Sequence, residues 1–183
     1  MEALTATRPY AVKDVVFYES HGIGTITHIS EDTISGIPCL LATVRIENLG
    51  HPVQLRAALG IRNCKIVPFK TFAGADPLAT ITKQLRGKPG SNSPQTGGRW
   101  AARFNVLDTK LMKTHSLKDI AEVARDLCRF EDGIIPQSEI TMLKTIAHWL
   151  SQTVAIIDKT DWVRARRKLN TILEEAGKHP FPA

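Results

Sequence analysis

The hydrophobic pattern of this 183-residue chain changes its period once, near Phe69, and this change limits the possible folds more than any other feature. From Tyr10 to Phe69, short runs rich in Val, Ile and Thr recur about every ten residues between turn residues, as in β-hairpins. After Phe69, apolar residues recur at helical spacing. The sequence therefore predicts an α+β protein with two domains, over residues 1–70 and 71–183.

The front half contains five strand-like segments, "DVVFYE", "GIGTITHIS", "PCLLATVRIE", "PVQLRAA" and "CKIVPF". Gly22 and Gly24 precede and interrupt the second segment, where they allow a bulged or closely packed backbone. Five small strands without a covering helix leave fewer unpaired edges when they close on themselves. We therefore predict an SH3-like or Tudor-like β-barrel.

The back half predicts an all-α helical bundle. The segment "ADPLATITKQLRG" indicates a short helix that ends at Gly87, and the following "KPGSNSPQTGG" is typical of a flexible loop. Ser116 is predicted to cap the helix "LKDIAEVARDLCRF", with Asp119 at the capping-box position. The apolar residues of this segment share one helical face.

Two further helices are predicted near the C-terminal end. Pro136 precedes the first, and Thr160 or Asp161 starts the second. Trp149 and Trp162 lie on or beside the apolar faces of these helices, and we predict that both are core residues.

Charge is concentrated in the helical half. The chain has 24 basic and 18 acidic residues, and residues 74–183 hold 17 and 12 of them. Between Lys83 and Lys113 there are seven basic residues and one acid, Asp108. Such a stripe either follows the phosphates of a nucleic acid or is a solvated surface. The run "RARRK" at 164–168 leaves the same two alternatives open.

Trp100 lies within this basic stretch, in the segment "GGRWAARFN". Arg99 precedes it, and Arg103 follows at helical spacing, so the indole is expected near a helix start among basic groups. In one interpretation the ring stands on the surface as a stacking group. In the other, it docks the first helical turn onto the bundle.

Several function classes find no support in the sequence. Cys39, Cys64 and Cys128 form no CxxC pair, and the six His residues match no metal-ligand pattern. The glycine-rich loop lacks the GxxxxGK[ST] pattern of a phosphate-binding loop. No apolar run approaches the length of a membrane span, and no signal peptide is recognisable. We expect a cytoplasmic, non-enzymatic protein without cofactor or metal.

Three stretches resemble the CarD/CdnL family of bacterial transcription regulators, over roughly residues 10–175. They are "VKDVVFYESHGIGTI", "RWAARF" and "LKDIAEVARDLCRFEDGIIPQSEITML". The last is the most specific, because "AEVARDL" is followed at the family's distance by an S-E-x-x-M-L pattern.

This resemblance implies a function and two sets of site residues. Members bind the RNA polymerase β subunit through the front barrel by strand addition. Their tryptophan enters the minor groove of promoter DNA at the upstream edge of the melted bubble and stabilises the open complex. The implied polymerase-binding residues are Ile34, Val53, Leu55 and Arg56. The implied DNA-binding residues are Lys88, Arg99, Trp100, Arg103, Lys110, Lys113 and Lys144.

The chain also departs from the family pattern. Asp32 stands where many members have an arginine, Glu19 replaces a proline, and Ala102 occupies a position that is usually basic. These departures indicate a divergent member, which we expect to be a monomer. An alternative hypothesis is an interaction adaptor that docks on polymerase or another protein without touching DNA.

Overall fold

The computed structural model describes residues 10–47, 51–61, 64–90, 100–128 and 136–182, with the side chains of Trp100 and Arg103 outside the description. The chain divides into two compact units, Met1–Phe72 and Ala73–Ala183. The five strands lie in the first unit, a short helix (Phe69–Ala73) lies at the boundary, and the longer helices lie in the second unit. The α+β class predicted from the sequence is therefore confirmed. No helix in the described ranges is long and apolar enough to cross a membrane.

The first unit contains a five-stranded antiparallel sheet with the strand order β4-β3-β2-β1-β5. Its strands are β1 (Val15–Tyr18), β2 (Gly22–Ile34), β3 (Ile37–Glu47), β4 (Pro52–Leu59) and β5 (Ile66–Pro68). Within the described part of the chain, β4 pairs only with β3, and the three-residue β5 pairs only with β1. The sheet is therefore open, whereas the sequence predicted a closed barrel.

The sheet has a compact apolar core on one face. Val44 of β3 lies between Ile26 of β2 and Leu55 of β4, and strand alternation places all three on the core side. A bulge between Ile26 and His28 changes the register of β2. The buried members of this core are Val16, Tyr18, Ile26, Ala42, Val44, Ile46, Ala57, Leu59 and Ile66.

Part of the opposite face is also covered, which the sequence analysis did not anticipate. The short helix α1 (Phe69–Ala73) places the ring of Phe72 on that of Phe17, with centroids 4.1 Å apart and planes 1° from parallel. Phe17 and Phe72 are both buried. The expectation of closure assumed strands without a covering helix, and this contact shows why that assumption was wrong.

Gly24 lies where the sheet leaves no room for a side chain. A Cβ atom there would lie 2.6 Å from Val44 Cγ1 and 2.8 Å from the backbone oxygen of Arg45. Gly22 has a φ of 97°, in the left-handed region. The close packing expected here is therefore confirmed at Gly24, and Gly22 has the backbone conformation that favours glycine.

The second unit is helical. Its helices are α2 (Pro77–Arg86), α3 (Trp100–Lys113), α4 (Leu117–Leu127), α5 (Gln137–Asp158) and α6 (Trp162–Glu175). As predicted, α2 ends at Gly87, α5 follows Pro136, and Asp161 is the N-cap of α6. The Asp161 carboxylate accepts the backbone N–H of Arg164 at 2.8 Å.

The predicted capping box at the start of α4 is wrong in its details. Ser116 is the N-cap by backbone geometry, but its side chain makes no capping hydrogen bond. Instead, the Thr114 hydroxyl donates to the Asp119 carboxylate at 3.0 Å and accepts the Ser116 N–H at 3.0 Å. Thr114 therefore accepts the Ser116 N–H, a bond that the Asp119 side chain would make in a capping box.

The two C-terminal tryptophans differ in their surroundings. Trp149 on α5 is 2% exposed and belongs to the core, as predicted. Trp162 is 54% exposed, so its prediction as a core residue was wrong. It is the first residue of α6, and the first buried residue of that helix is Ala165. The indole therefore precedes the part of α6 that packs against the unit.

Candidate nucleic-acid and protein interfaces

Helix α3 carries the tryptophan identified in the sequence. Trp100 is its first residue, while Leu107 and Leu111 are buried one turn apart and pack the helix into the unit. Arg99 and the side chains of Trp100 and Arg103 lie outside the described structure. What the structure establishes is that Trp100 lies on α3 and that this helix is anchored by the buried Leu107 and Leu111.

Lys110 on α3 is already engaged by acidic side chains of α4. Its ammonium is 3.4 Å from the Asp119 carboxylate and donates a hydrogen bond to Glu122. Burial alone would lower the pKa of Lys110, but the hydrogen bond and charge of Glu122, together with Asp119, raise it overall. A phosphate at Lys110 would therefore compete with two internal carboxylates.

The remaining lysines of the predicted DNA site are exposed but spread out. Lys113 ends α3, roughly 20 Å along the helix axis from Trp100 at 1.5 Å per residue. Lys144 is on the exposed side of α5, and Lys88 follows α2. In the described parts of the chain, Lys88, Lys113 and Lys144 form no ion pair. Because of its distance along the helix, Lys113 does not lie beside Trp100 on α3.

The backbone around Lys88 is anchored on both sides. The buried Lys178 ammonium donates to the carbonyl of Gly87 at 2.7 Å, and it also caps another carbonyl at the end of α2. The Gly90 N–H donates to Asp126 Oδ1 at 2.8 Å. These contacts hold the short segment that carries Lys88 against the bundle.

Asp126 is the centre of this polar cluster, and sequence reasoning missed it. Its carboxylate is buried and accepts hydrogen bonds from Arg125 Nε at 2.8 Å and from the Gly90 N–H. Arg125 also donates to Gln84 Oε1 on α2 at 3.1 Å. Asp126 lies between Val123 and Leu127 on the buried side of α4. The signal that the sequence offered was a charged residue on the apolar face of a predicted helix, which indicates a buried polar contact.

The same cluster contains no reactive thiol or metal site. Burial raises the pKa of the Cys128 thiol to about 12, and the Lys178 charge offsets only part of this effect. Burial is also the main reason that the pKa of Lys178 is lowered. Within the described ranges, no group of three or more His, Cys, Asp or Glu side chains could hold a metal ion.

The candidate protein interface is the edge strand β4. Its outer edge has no partner strand among the described residues, so its backbone groups are available for strand addition. Val53 is 38% exposed, whereas Leu55 is half-buried against the sheet core. Strand alternation places Arg56 on the opposite face. Of these residues, Val53 and Arg56 are accessible to a partner and Leu55 is mainly a packing residue.

An ion pair across three strands links Arg56, one of the implied polymerase-binding residues, to Asp32. Arg56 Nη2 of β4 lies 3.1 Å from Asp32 Oδ2 of β2, and both side chains are exposed. Ile34 is two residues beyond Asp32 and is 47% exposed near the β2–β3 turn. The residue noted as a departure from the family is therefore the internal partner of Arg56.

Comparisons with known proteins add no assignment. No protein-family model matches the chain, and a search of curated proteins gave no significant match. The function is therefore inferred from the residues of this chain.

Proposed function

We propose that this protein is a non-enzymatic transcription regulator, a divergent relative of the CarD/CdnL family that acts as a cytoplasmic monomer. Its sheet unit binds the RNA polymerase β subunit, and its helical unit stabilises the promoter open complex. The observation that carries the proposal is that Trp100, which lies between Arg99 and Arg103 in sequence, is on α3, and that this helix is packed by Leu107 and Leu111.

The physical role of the tryptophan follows from two opposing free energies. Burying an indole of ~200 Å² at ~25 cal/mol per Å² contributes at most ~5 kcal/mol. Unstacking one base step costs a few kcal/mol. Because the two nearly cancel, one tryptophan does not melt a duplex. The tryptophan enters from the minor-groove side at the upstream edge of the bubble. There it slows the closing of a fork that polymerase has already opened.

Phosphate contacts supply the rest of the DNA affinity without reading the base sequence. Lys110 is held by α4. If about four of the other five basic residues of the predicted DNA site contact phosphates, the log-log salt slope is roughly −3.6. Affinity for free DNA would then fall about two decades between roughly 50 and 200 mM salt. Tethering through polymerase makes this weak contact effective.

For the polymerase contact, we propose a Tudor-like sheet that accepts a strand of the β subunit along β4. The strand order and the short β5 on the far edge are compatible with such a module. Val53 supplies an exposed apolar contact, Arg56 supplies charge, and Ile34 extends the surface from the β2–β3 turn.

Replacing Trp100 with Ala is expected to shorten the open-complex lifetime about tenfold. This is the effect of losing a net stabilisation of the fork of about 1 to 2 kcal/mol. The measurement is the decay of competitor-resistant promoter complexes formed with polymerase and the full-length protein. Val106→Ala, an exposed apolar truncation on the same helix, is the control and should leave the lifetime unchanged. Equal lifetimes for Trp100→Ala and the native protein would refute the wedge.

Replacing Arg56 with Glu is expected to weaken binding to the isolated β-subunit lobe by about tenfold or more, because it reverses an interfacial charge and repels Asp32. Asp32→Asn frees Arg56 from its exposed ion pair, worth about 1 kcal/mol at most, and should tighten binding by about fivefold or less. Gln54→Glu, on the same face of β4, controls for general charge effects. Undiminished capture of the lobe by Arg56→Glu would move the interface elsewhere.

The adaptor alternative is favoured by one observation, the neutralisation of Lys110 by Asp119 and Glu122. An adaptor would bind promoter-bound polymerase no more tightly than polymerase alone. Its affinity would also lack the salt slope of a DNA contact. Titrating both forms of polymerase at two salt concentrations therefore separates the two functions.

A further inference from the structure

The start of α6 presents an exposed aromatic side chain that the proposed function does not use. Trp162 is 54% exposed and Val163 is 46% exposed, although both begin a helix of the bundle. Large apolar side chains that remain accessible beside one another often mark a binding surface.

The same region holds half of the net charge of the chain. Residues 158–168 contain five basic and two acidic residues, a net charge of +3, compared with +6 for the whole chain. The basic residues are Lys159, Arg164, Arg166, Arg167 and Lys168.

Two of these five are committed to internal contacts. The Arg166 guanidinium lies 5.1 Å from the centre of the Phe181 ring and donates to a C-terminal carbonyl, while Lys168 pairs with Asp158 at 2.7 Å. The other three, Lys159, Arg164 and Arg167, are exposed. Arg164 has 77% of its side chain exposed despite a 3.4 Å contact with the helix cap. Over the residues that the structure describes, Lys159 and Arg167 form no ion pair.

The order of charges along α6 opposes the stability of the helix. Arg164 and Arg167 lie near its N-terminus, and Glu174 and Glu175 end it. The helix dipole favours acidic residues at the start and basic residues at the end. A local arrangement that works against folding is most common where a surface serves binding.

We propose that Lys159, Trp162, Arg164 and Arg167 form a second nucleic-acid contact, the α6 patch, which binds single-stranded nucleic acid. An unpaired base stacks on the exposed Trp162 indole, while the basic side chains contact the adjacent phosphates. A duplex would satisfy the charges but would leave the indole unused, because its base faces are covered. The α6 patch is separate from Trp100 and does not depend on the polymerase contact.

The test is fluorescence anisotropy of a dye-labelled single-stranded DNA of about 20 nucleotides, compared with a duplex, using the full chain. Trp162→Ala is expected to weaken single-strand binding about 5- to 100-fold, with little effect on the duplex. Trp162→Phe, which retains a stacking ring, should restore most of the affinity. Arg164→Ala combined with Arg167→Ala should reduce the log-log salt slope by about 1.4. Thr171→Ala, exposed on the same helix, is the matched control.

Repeating Trp162→Ala in a Trp100→Ala background separates this inference from the proposed function. The loss caused by Trp162→Ala should persist there, because the two tryptophans act independently. If Trp162→Ala and the double arginine variant bind the single strand as tightly as the native chain, the α6 patch is not a nucleic-acid site and its exposed residues would serve a protein partner. Failure of the wedge would appear separately, as an open-complex lifetime insensitive to Trp100→Ala.

Discussion

Replacing Asp126 with Ala is expected to destabilise the helical unit by about 3 kcal/mol, because it removes one partner of a buried ion pair. Arg125 would lose its carboxylate, and the Gly90 N–H would lose its acceptor. The Lys178 ammonium would also lose a nearby negative charge, in a place where burial already disfavours its charged form.

Urea unfolding of the full chain, followed by the helical circular dichroism signal, measures this loss. Asp126→Asn should cost less, since an amide oxygen can still accept from Gly90. Glu122→Gln on the same helix is the matched control, because its partly exposed ion pairs contribute about 1 kcal/mol at most. If Asp126→Ala and Glu122→Gln lower the unfolding free energy equally, the polar cluster does not hold α2 and α4 together.

Replacing Gly24 with Ala is expected to destabilise the sheet unit by about 2 to 3 kcal/mol through overpacking. The added methyl would lie within 3 Å of three atoms, one of them the backbone oxygen of Arg45. That oxygen belongs to β3, which pairs with strands on both sides, so the backbone cannot move away without disturbing the sheet.

Gly36→Ala is the control for this substitution. Gly36 has a φ of 80° in the β2–β3 turn, and a Cβ there would meet nothing within 4 Å. Gly36→Ala should lower the unfolding free energy by about 1 to 2 kcal/mol, because alanine is strained in the left-handed backbone conformation. Thermal unfolding of the two variants should therefore give a clearly lower midpoint for Gly24→Ala. Equal midpoints would mean that β2 can shift to accommodate a side chain at position 24.

The features that were predicted correctly depend on residues close together in sequence. Gly87 ends α2, Pro136 precedes α5 and Asp161 caps α6, because each acts on the backbone within one helical turn. The five strands were recognised from β-branched residues and turn signals that operate over similarly short distances.

The features that were missed depend on contacts between distant segments. Asp32 of β2 and Arg56 of β4 form an ion pair across the intervening strand β3. Their side chains come within reach because of the register in which the three strands pair. Closure of the sheet was expected because nothing in the local pattern indicated that Phe72 would cover Phe17. From the sequence, Lys110 was expected to contact phosphates. In the structure, the packing of α3 on α4 pairs its ammonium with two carboxylates.

Local backbone preference and hydrophobic period were enough to establish a strand region followed by a helical region, and most of the helix ends. The sequence also showed a basic segment around Trp100. Which charges stay accessible was settled by packing, because an ion pair forms only after folding brings its two side chains within a few ångströms. Packing paired Lys110 with two carboxylates and buried Asp126. It left Trp162 exposed because α6 begins to pack one turn after that residue.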